Sequence, residues 1–404
     1  MIRKFKIENY KSIKRLELNL GRVNVFIGEN GSGKSNVLEA IALAAAAEGN
    51  KLDNEFLTSR GIRVTNPRLM RSGFNASDSE LPVSLTVSLD GDSEYNYRLT
   101  NDNKVYSEWE QERGITSRLS EAGPGLSKLL ESLPDDEQRR EVLEKLAAAL
   151  GVALKNHNEQ KNKSKGKPRE ITVNVEMESK YIPTFDSVIA GFVIYSPENS
   201  SLRTFEREGQ VQPLGVNGEG LLKLLSVMYK SRNKREIDEV TSALKLLSWF
   251  DGLSVTGTGP RARINIVDRY LDAEKNTFDQ RSANEGFLFV TFYLALMVST
   301  LTPKFFAIDN IDASLNPKLC KKLMSIMPKL AVENGKQVLL TTHNPAVLDG
   351  IDLSDDEQRL FVVSRNRKGE TQVRRIDHKP SMPTRHKLSE MFISGVLGGL
   401  PNRF

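Results

Sequence analysis

Cysteine is almost absent from this chain, which has one cysteine, Cys320, among its 404 residues. A single cysteine cannot form a disulfide within the chain, so we expect a protein of the reducing cytoplasm. The sequence also lacks any run of about 18 apolar residues, the shortest that spans a bilayer as a helix. It shows no apolar signal region at its start. We therefore expect neither export nor a membrane partner.

A strong excess of one charge is also missing, because 57 Lys and Arg residues oppose 52 Asp and Glu residues, for a formal net charge of +5. This balance permits nucleic-acid binding without arguing strongly for it. Much of the excess lies in a lysine-rich basic run at residues 155–169. Such a run is typical of a solvated loop, and a DNA contact is the alternative. The length predicts two or three structural units.

The most informative stretch that is present is Gly28–Ser35, which matches the phosphate-loop (P-loop) pattern G-x-x-x-x-G-K-[ST]. A β-rich segment precedes it and a helical segment follows it, which is the context that the motif requires. We expect Lys34 to reach the β- and γ-phosphates and the Ser35 hydroxyl to bind Mg²⁺. The residues expected to contact the nucleotide here are Asn30, Gly31, Ser32, Gly33, Lys34, Ser35 and Asn36.

Two apolar segments in the second half of the chain each end at a polar residue. Residues 305–308 close on Asp309, the pattern of a buried parallel strand whose terminal carboxylate supports Mg²⁺. Residues 338–342 form a second such segment and end at His343. Ligands bind at the carboxyl ends of the strands in open α/β sheets. His343 is therefore a candidate ligand contact.

The rest of the chain shows patterns of strands and helices. Residues 2–20 alternate apolar and polar side chains and predict a pair of antiparallel strands beside the nucleotide. Residues 81–89 and 95–99 predict a β-hairpin. Residues 125–154 change to helical spacing and, with the basic run behind them, predict an inserted arm. Two more helices are expected near residues 218–231 and 234–250.

Several short motifs follow one another along the chain. They are Asn9–Ser12, the P-loop, Ser282–Gly286, Asp309–Asn310, Ala313–Asn316 and Thr342–Pro345. In this order they resemble the ATP-binding-cassette (ABC) ATPases, and more closely the branch of RecF and the structural-maintenance-of-chromosomes (SMC) proteins. Within that branch the chain resembles the stand-alone ATPases of bacterial anti-phage defence systems and the ATPase domain of overcoming-lysogenization-defect nucleases.

This resemblance implies an α/β fold, namely an ABC-type P-loop ATPase head with a mixed sheet and an antiparallel edge, plus an inserted helical arm. We divide the chain accordingly into five regions. They are 1–110, the N-terminal part of the head; 111–185, the inserted arm with its basic loop; 186–260, a helical lobe; 261–380, the C-terminal part of the head; and 381–404, a C-terminal tail.

The resemblance also implies the cofactors ATP and Mg²⁺, bound between two heads of a homodimer or higher oligomer. Ser282 of one subunit would cap the γ-phosphate bound by the other subunit, and Glu285 belongs to the same signature motif. His343 would sense the γ-phosphate, Asp309 would support Mg²⁺, and Lys11 would lie near the nucleotide.

One departure from the family pattern concerns the catalytic step. The acid expected directly after Asp309 is replaced by Asn310. An amide cannot accept the proton of the attacking water, and a missing general base costs roughly 10²- to 10⁴-fold in rate. We therefore expect ATP to be bound well and hydrolysed slowly. The alternative is that Asp312 or His343 accepts the proton instead.

Two functions fit these features. The first is a sensor or scaffold that dimerises on ATP, hydrolyses it slowly and controls a separate effector, a nuclease or toxin, in anti-phage defence. The second is a DNA-repair or chromosome-type ATPase that clamps duplex DNA during ATP turnover. The replaced acid favours the first function, and the basic run favours the second.

Overall fold

Buried apolar strands form the framework of this protein. The computed structural model describes residues 1–90, 93–104, 106–119, 144, 147–149, 151–152, 171–178, 187–377 and 387–400. The strands are β1 (Ile2–Tyr10), β2 (Ile13–Asn19), β3 (Val23–Ile27), β4 (Val83–Leu89), β5 (Ser93–Thr100), β6 (Glu110–Leu119), β7 (Ile171–Glu178), β8 (Ile194–Tyr195), β9 (Phe250–Thr256), β10 (Arg263–Asp268), β11 (Thr277–Asp279), β12 (Phe305–Ile308), β13 (Gln337–Thr342), β14 (Gln358–Arg365) and β15 (Thr371–Ile376).

The α-helices of the described residues vary from single turns to long core helices. They are α1 (Lys34–Glu48), α2 (Asn54–Ser59), α3 (Pro67–Met70), α4 (Ser187–Ala190), α5 (Asn199–Leu202), α6 (Leu221–Lys230), α7 (Arg235–Leu244), α8 (Glu285–Val298), α9 (Pro317–Glu333) and α10 (Leu388–Ile393). A 3₁₀ helix spans Pro345–Gly350. No helix in the described part of the chain is both long and apolar enough to cross a membrane.

The central sheet has six strands in the order β15-β14-β3-β13-β12-β8. Neighbours from β14 to β8 are parallel, and β15 pairs antiparallel with β14 at one edge. Every residue of β3, β12 and β13 is buried, as expected for parallel strands covered on both faces. Their side chains alternate between two apolar cores, with Phe26, Phe305 and Ala307 on one face and Phe306 and Ile308 on the other.

Helix α1 fills the space between the central sheet and a second, N-terminal sheet. Its alanine-rich sequence is buried around almost its whole circumference, which is typical of a helix inside a core rather than on a surface. It begins at Lys34, within the P-loop motif, as the predicted helical segment, and it ends before Gly49. The P-loop is therefore joined on both sides to elements that are fixed by packing.

The N-terminal sheet is antiparallel, with the order β2-β1-β4-β5-β6-β7. It contains the strand pair predicted in residues 2–20 and the predicted hairpin, now β4 and β5. Strands β6 and β7 lie near the two ends of region 111–185. Apart from isolated helical positions between 144 and 152, the segment 125–154 lies outside the described residues, as does the whole basic run 155–169. The arm stays a prediction.

A lobe of helices and a small sheet covers the other face of the central sheet. Helices α6 and α7 correspond to the two predicted helices, and α7 ends earlier than expected because the chain enters strand β9 at Phe250. Strands β9 and β10, on either side of the predicted boundary at residue 260, pair in a sheet of order β11-β10-β9. The α/β fold with its mixed and antiparallel sheets is confirmed, and the five regions stay predictions.

Candidate nucleotide site

The predicted site residues meet at one edge of the central sheet. Strands β3, β13, β12 and β8 are parallel neighbours, so the segments that follow them emerge at the same edge. The P-loop follows β3, Asp309 follows β12 and His343 follows β13. The segment Ser196–Asn199 follows β8 and lies at this edge too. The topology therefore assembles the candidate site from distant parts of the chain.

Glycines allow the P-loop to fit closely against strands β14 and β15. A Cβ atom on Gly28 would lie 2.1 Å from the Val363 carbonyl oxygen, and one on Gly33 would lie 2.1 Å from Thr371 Oγ1. Gly33 also has φ +107°, in the left-handed region that favours glycine. A Cβ on Gly31, by contrast, would meet no atom within 4 Å. One side of the loop is packed, and the side at Gly31 is open.

Lys34 is folded back over the P-loop. Its Nζ donates hydrogen bonds of 2.9 Å to the carbonyl oxygens of Gly28 and Glu29, and the residue is 4% exposed. Burial lowers the pKa of Lys34 to about 8, while the nearby carboxylates of Asp309 and Asp312 oppose the shift. A phosphate group that replaced the two carbonyl contacts would stabilise the charged ammonium.

The predicted metal residues are in direct contact. Ser35 Oγ donates a hydrogen bond of 3.1 Å to Asp309 Oδ2, and Thr341 Oγ1 donates to Asp309 Oδ1. One hydroxyl and one carboxylate are what Mg²⁺ takes from a protein when phosphates and waters supply its other ligands. In addition, Ser32 Oγ is buried and has no hydrogen-bond partner among the described residues, which fits a loop built for a polar ligand. These residues fit Mg·ATP.

Asn310 stands at the exposed end of β12, next to Asp309. Its φ is +57°, a conformation that asparagine tolerates better than most residues. Its backbone N–H donates to Thr341 Oγ1 at 2.9 Å. Thr341 therefore holds both Asp309 and Asn310, and the residue directly after Asp309 is an exposed amide.

Asp312 and His343 lie on the same side of the site. Asp312 Oδ1 accepts hydrogen bonds from Thr342 Oγ1 at 2.6 Å and from the His343 backbone N–H at 3.4 Å. Burial, followed by the charge of Lys34, lowers the pKa of His343. Asp312 and a hydrogen bond to the Gly28 backbone oppose that shift. The imidazole is therefore neutral at pH 7 and lies beside the P-loop.

Lys11 lies in the turn between β1 and β2 and belongs to a charged cluster beside helix α1. Its Nζ donates to Glu39 Oε2 and to the Arg63 carbonyl oxygen, and Arg63 Nε donates to Glu39 Oε1 at 2.5 Å. Burial lowers the pKa of Lys11, against the opposing effect of Glu39. Asn36 accepts from Arg63 Nη2 at 3.2 Å and donates to Ser12 Oγ at 2.6 Å. Lys11 and Asn36 thus belong to one network beside the P-loop.

The signature motif is arranged as a separate, exposed surface. Ser282 and Glu285 are exposed, and Asn284 caps helix α8 by accepting from the Phe287 N–H at 2.8 Å. Glu285 accepts hydrogen bonds from Asn199 at 2.7 Å and from Ser314 at 3.1 Å. Within the described chain, no hydrogen bond joins Ser282 or Glu285 to the P-loop. Their contact with nucleotide stays a prediction.

Three residues that support the site escaped the sequence analysis. Thr341 holds Asp309, and Thr371 Oγ1 donates to the Ser32 carbonyl oxygen at 3.0 Å. Arg203 fixes the signature loop, because its guanidinium donates to the carbonyl oxygens of residues 280, 281 and 283 at 2.6, 3.0 and 2.8 Å. The position of Thr341 at the end of a strand next to β12 was the one available signal. No local sequence pattern indicated that Thr371 or Arg203 supports the site.

Comparison with a solved structure identifies the fold. The crystal structure of an SmcHead bound to the C-winged helix domain of ScpA superimposes with a TM-score of 0.53 and 14% sequence identity, over 94% of this chain and 99% of that one. At this identity the likeness establishes the fold. The protein therefore has the fold of an SMC head domain, with a P-loop after strand β3 of its central sheet.

The family follows from the sequence profile that matches residues 23–349, described as "AAA domain, putative AbiEii toxin, Type IV TA system". The chain belongs to this family. It is also 42% identical over 55 residues to the DNA replication and repair protein RecF of Lysinibacillus sphaericus, and 40% identical over 55 residues to that of Bacillus thuringiensis. These matches cover 13% of this chain and 15% of each RecF protein.

Proposed function

We propose that this protein is an ATP-gated scaffold that binds Mg·ATP, hydrolyses it slowly, and dimerises on ATP to control a separate effector in anti-phage defence. The observation that carries the proposal is the exposed amide of Asn310 beside the Asp309 and Ser35 pair. The residues proposed to hold the metal, Ser35 and Asp309, are in contact, whereas an amide stands at the position proposed for the general base. Such a site favours a long-lived ATP-bound state.

The remaining groups at the site are weaker candidates for the base. Asp312 Oδ1 already accepts hydrogen bonds from the Thr342 hydroxyl and the His343 backbone N–H, so this oxygen is engaged within the protein rather than directed at an attacking water. His343 is neutral at pH 7, which suits it to donate a hydrogen bond to a phosphate oxygen or to accept a proton. We assign Asp312 the residual hydrolysis and His343 the contact with the γ-phosphate.

ATP-dependent dimerisation is supported by the exposed signature motif. Ser282 lies at the surface. The loop that carries it is fixed by the three hydrogen bonds from Arg203, called the Arg203 clamp below, and by the Asn284 cap of helix α8. A rigid, exposed loop that ends at the N-terminus of helix α8 presents both a hydroxyl and the positive end of a helix dipole. We propose that it closes on the γ-phosphate bound by the partner subunit.

The defence role and the effector are supported by the family description, which names a toxin and a toxin–antitoxin system. We propose that the effector is a separate nuclease or toxin that recognises the ATP-bound dimer. Hydrolysis of ATP, or its loss, would then release or activate this effector. Because the site would hydrolyse ATP slowly, the ATP-bound complex would persist until a separate event causes the hydrolysis or loss of ATP.

Sedimentation velocity of the purified protein with ATP, ADP or no nucleotide tests the dimer. We expect a shift to dimer with Mg·ATP, lost in Ser282→Arg. Ser354→Arg serves as the matched control, because Ser354 is also exposed but precedes β14 and so lies at the opposite edge of the central sheet. Equal dimerisation in wild type and Ser282→Arg would refute the sandwich arrangement.

A DNA-clamping ATPase is the second candidate, and the match to RecF supports it. The outer face of the N-terminal sheet gives it little support, because four basic residues on the described part of this face pair with carboxylates. These pairs are Lys4–Glu17, Lys6–Glu94, Arg15–Glu8 and Arg98–Glu112. Duplex DNA binding measured from about 50 to 200 mM salt decides between the scaffold and the DNA clamp. Several phosphate contacts make affinity fall steeply with salt, so a steep fall is the result expected of the DNA clamp.

A further inference from the structure

The C-terminal segment 387–400, called the strap below, contacts the P-loop directly. The carbonyl oxygen of Gly399 accepts a hydrogen bond of 3.0 Å from the backbone N–H of Glu29. We propose that the strap holds the P-loop in its nucleotide-binding conformation and that Gly399 is the positioning residue. This inference rests on the proposed ATP binding and extends the site to a segment that no motif identifies.

The strap is seated on the protein's own core. Leu388, Met391, Phe392 and Leu397 are buried in the apolar core that includes one face of the central sheet. Arg374 of strand β15 donates a hydrogen bond of 2.6 Å to the Leu397 carbonyl oxygen. These contacts place the end of the strap beside the first residues of the P-loop.

A second anchor links the strap to the segment that carries His343. The backbone N–H and the hydroxyl of Ser389 donate to the two carboxylate oxygens of Asp349, at 3.0 and 2.9 Å. Asp349 belongs to the 3₁₀ helix Pro345–Gly350, which begins two residues after His343. The strap therefore ties the P-loop to the neighbouring strand end, and both sides of the candidate site are fixed to one segment.

The contact at Gly399 requires glycine. Its φ is +81°, and a Cβ atom there would lie 2.6 Å from Val362 Cγ1 and 3.6 Å from Gly28 Cα. A side chain would push the strap away from the P-loop. Gly395 offers a matched control, because its φ is +76° and a Cβ there would meet no atom within 4 Å.

The Glu29 N–H is suited to this role because it lies at the strand end of the loop. The N–H groups near the start of helix α1 are the ones that face a bound phosphate. The Glu29 N–H is directed to the strap instead, so the strap adds order without occupying the phosphate position. Holding a loop in its bound conformation raises affinity by reducing the entropy lost on binding.

The test compares full-length Gly399→Ala with Gly395→Ala. Hydrogen exchange of the Glu29 amide is measured in the nucleotide-free protein, and Mg·ATP affinity is measured by calorimetry. In Gly399→Ala we expect faster Glu29 exchange and an affinity loss of about 3- to 10-fold, the size set by one hydrogen bond. In Gly395→Ala we expect both quantities to stay within about twofold of wild type.

Equal effects of the two substitutions, or faster exchange in Gly399→Ala with unchanged affinity, would overturn the inference. If Gly399→Ala does not fold, Ser389→Ala replaces it, and wild-type exchange and affinity in that variant would count against the strap. If wild type itself does not bind Mg·ATP, the proposed function fails. In that case the Glu29 exchange rates of wild type and Gly399→Ala still show whether the strap fixes the P-loop. Equal exchange rates would overturn the inference about the strap.

Discussion

Lys34 makes nucleotide binding sensitive to pH in a window that the structure defines. In the free protein its pKa is about 8 because the ammonium is buried, against an ordinary value of 10.5. A bound triphosphate places negative charge beside the ammonium and raises the pKa again. Protonated Lys34 is therefore the form that binds, and above pH 8 binding must be accompanied by uptake of a proton.

The size of the pH effect on Mg·ATP affinity follows from the titration of Lys34 alone. With this pKa, Lys34 is about 90% protonated at pH 7, half protonated at pH 8 and about 10% protonated at pH 9. The dissociation constant for Mg·ATP should therefore rise about tenfold between pH 7 and pH 9, which corresponds to about 1.4 kcal/mol. His343 does not contribute in this window, because its pKa is lowered from 6.5 and it is already neutral.

Calorimetric titration with Mg·ATP in two buffers of different ionisation enthalpy measures both the dissociation constant and the number of protons taken up on binding. We expect proton uptake to increase from about 0.1 per site at pH 7 to about 0.9 at pH 9. Lys11→Arg is the control, because burial lowers the pKa of Lys11 as well, whereas arginine stays charged throughout. A dissociation constant that stays flat from pH 7 to pH 9, without proton uptake, would refute this account of Lys34.

Three further predictions address other parts of the structure. Arg203→Met removes three hydrogen bonds from the signature loop, so ATP-dependent dimerisation measured by sedimentation should weaken about tenfold or more, whereas unchanged dimerisation would contradict the clamp. Gly33→Ala places a Cβ 2.1 Å from Thr371 Oγ1, so calorimetry should detect no ATP binding, while Gly31→Ala, which shares a left-handed φ (+75°) but would meet no atom within 4 Å, should retain more. Lys336 is buried among the carbonyl oxygens of Ser299, Thr302 and Pro303, and burial lowers its pKa to about 8. The unfolded chain therefore binds more protons between pH 8 and pH 10.5, and urea titrations should show wild type gaining about 2 kcal/mol relative to Lys336→Met from pH 8 to pH 10; a constant difference would contradict this.

The parts of the site that sequence reasoning found are those encoded by consecutive residues. The P-loop is a local motif, and Asp309 and His343 each follow an apolar run that can only be a buried strand. The parallel topology then brings them to one edge, as a general rule for such sheets predicts. The fold class was predicted from the order of these local motifs along the chain, which resembles that of the ABC ATPases.

The supporting contacts could not be found in this way, because their partners are far apart along the chain. Thr341 and Asp309 are 32 residues apart, and Arg203 reaches carbonyl oxygens 77 to 80 residues away. The strap joins Gly399 to Glu29, near the opposite ends of the sequence. A threonine, an arginine and a glycine have no local pattern that distinguishes these positions from ordinary surface ones. Only the packed structure shows what they hold.

The measurement that tests the central claim most directly is single-turnover hydrolysis of Mg·ATP by wild type and by Asn310→Glu, with Lys34→Ala as the non-binding control. We predict that wild type binds ATP but hydrolyses it slowly, and that Asn310→Glu raises the rate by roughly 10²-fold or more, the contribution of a general base. A wild-type rate that Asn310→Glu does not raise would show that another residue, such as Asp312, already supplies the base. The slow-scaffold account would then be wrong.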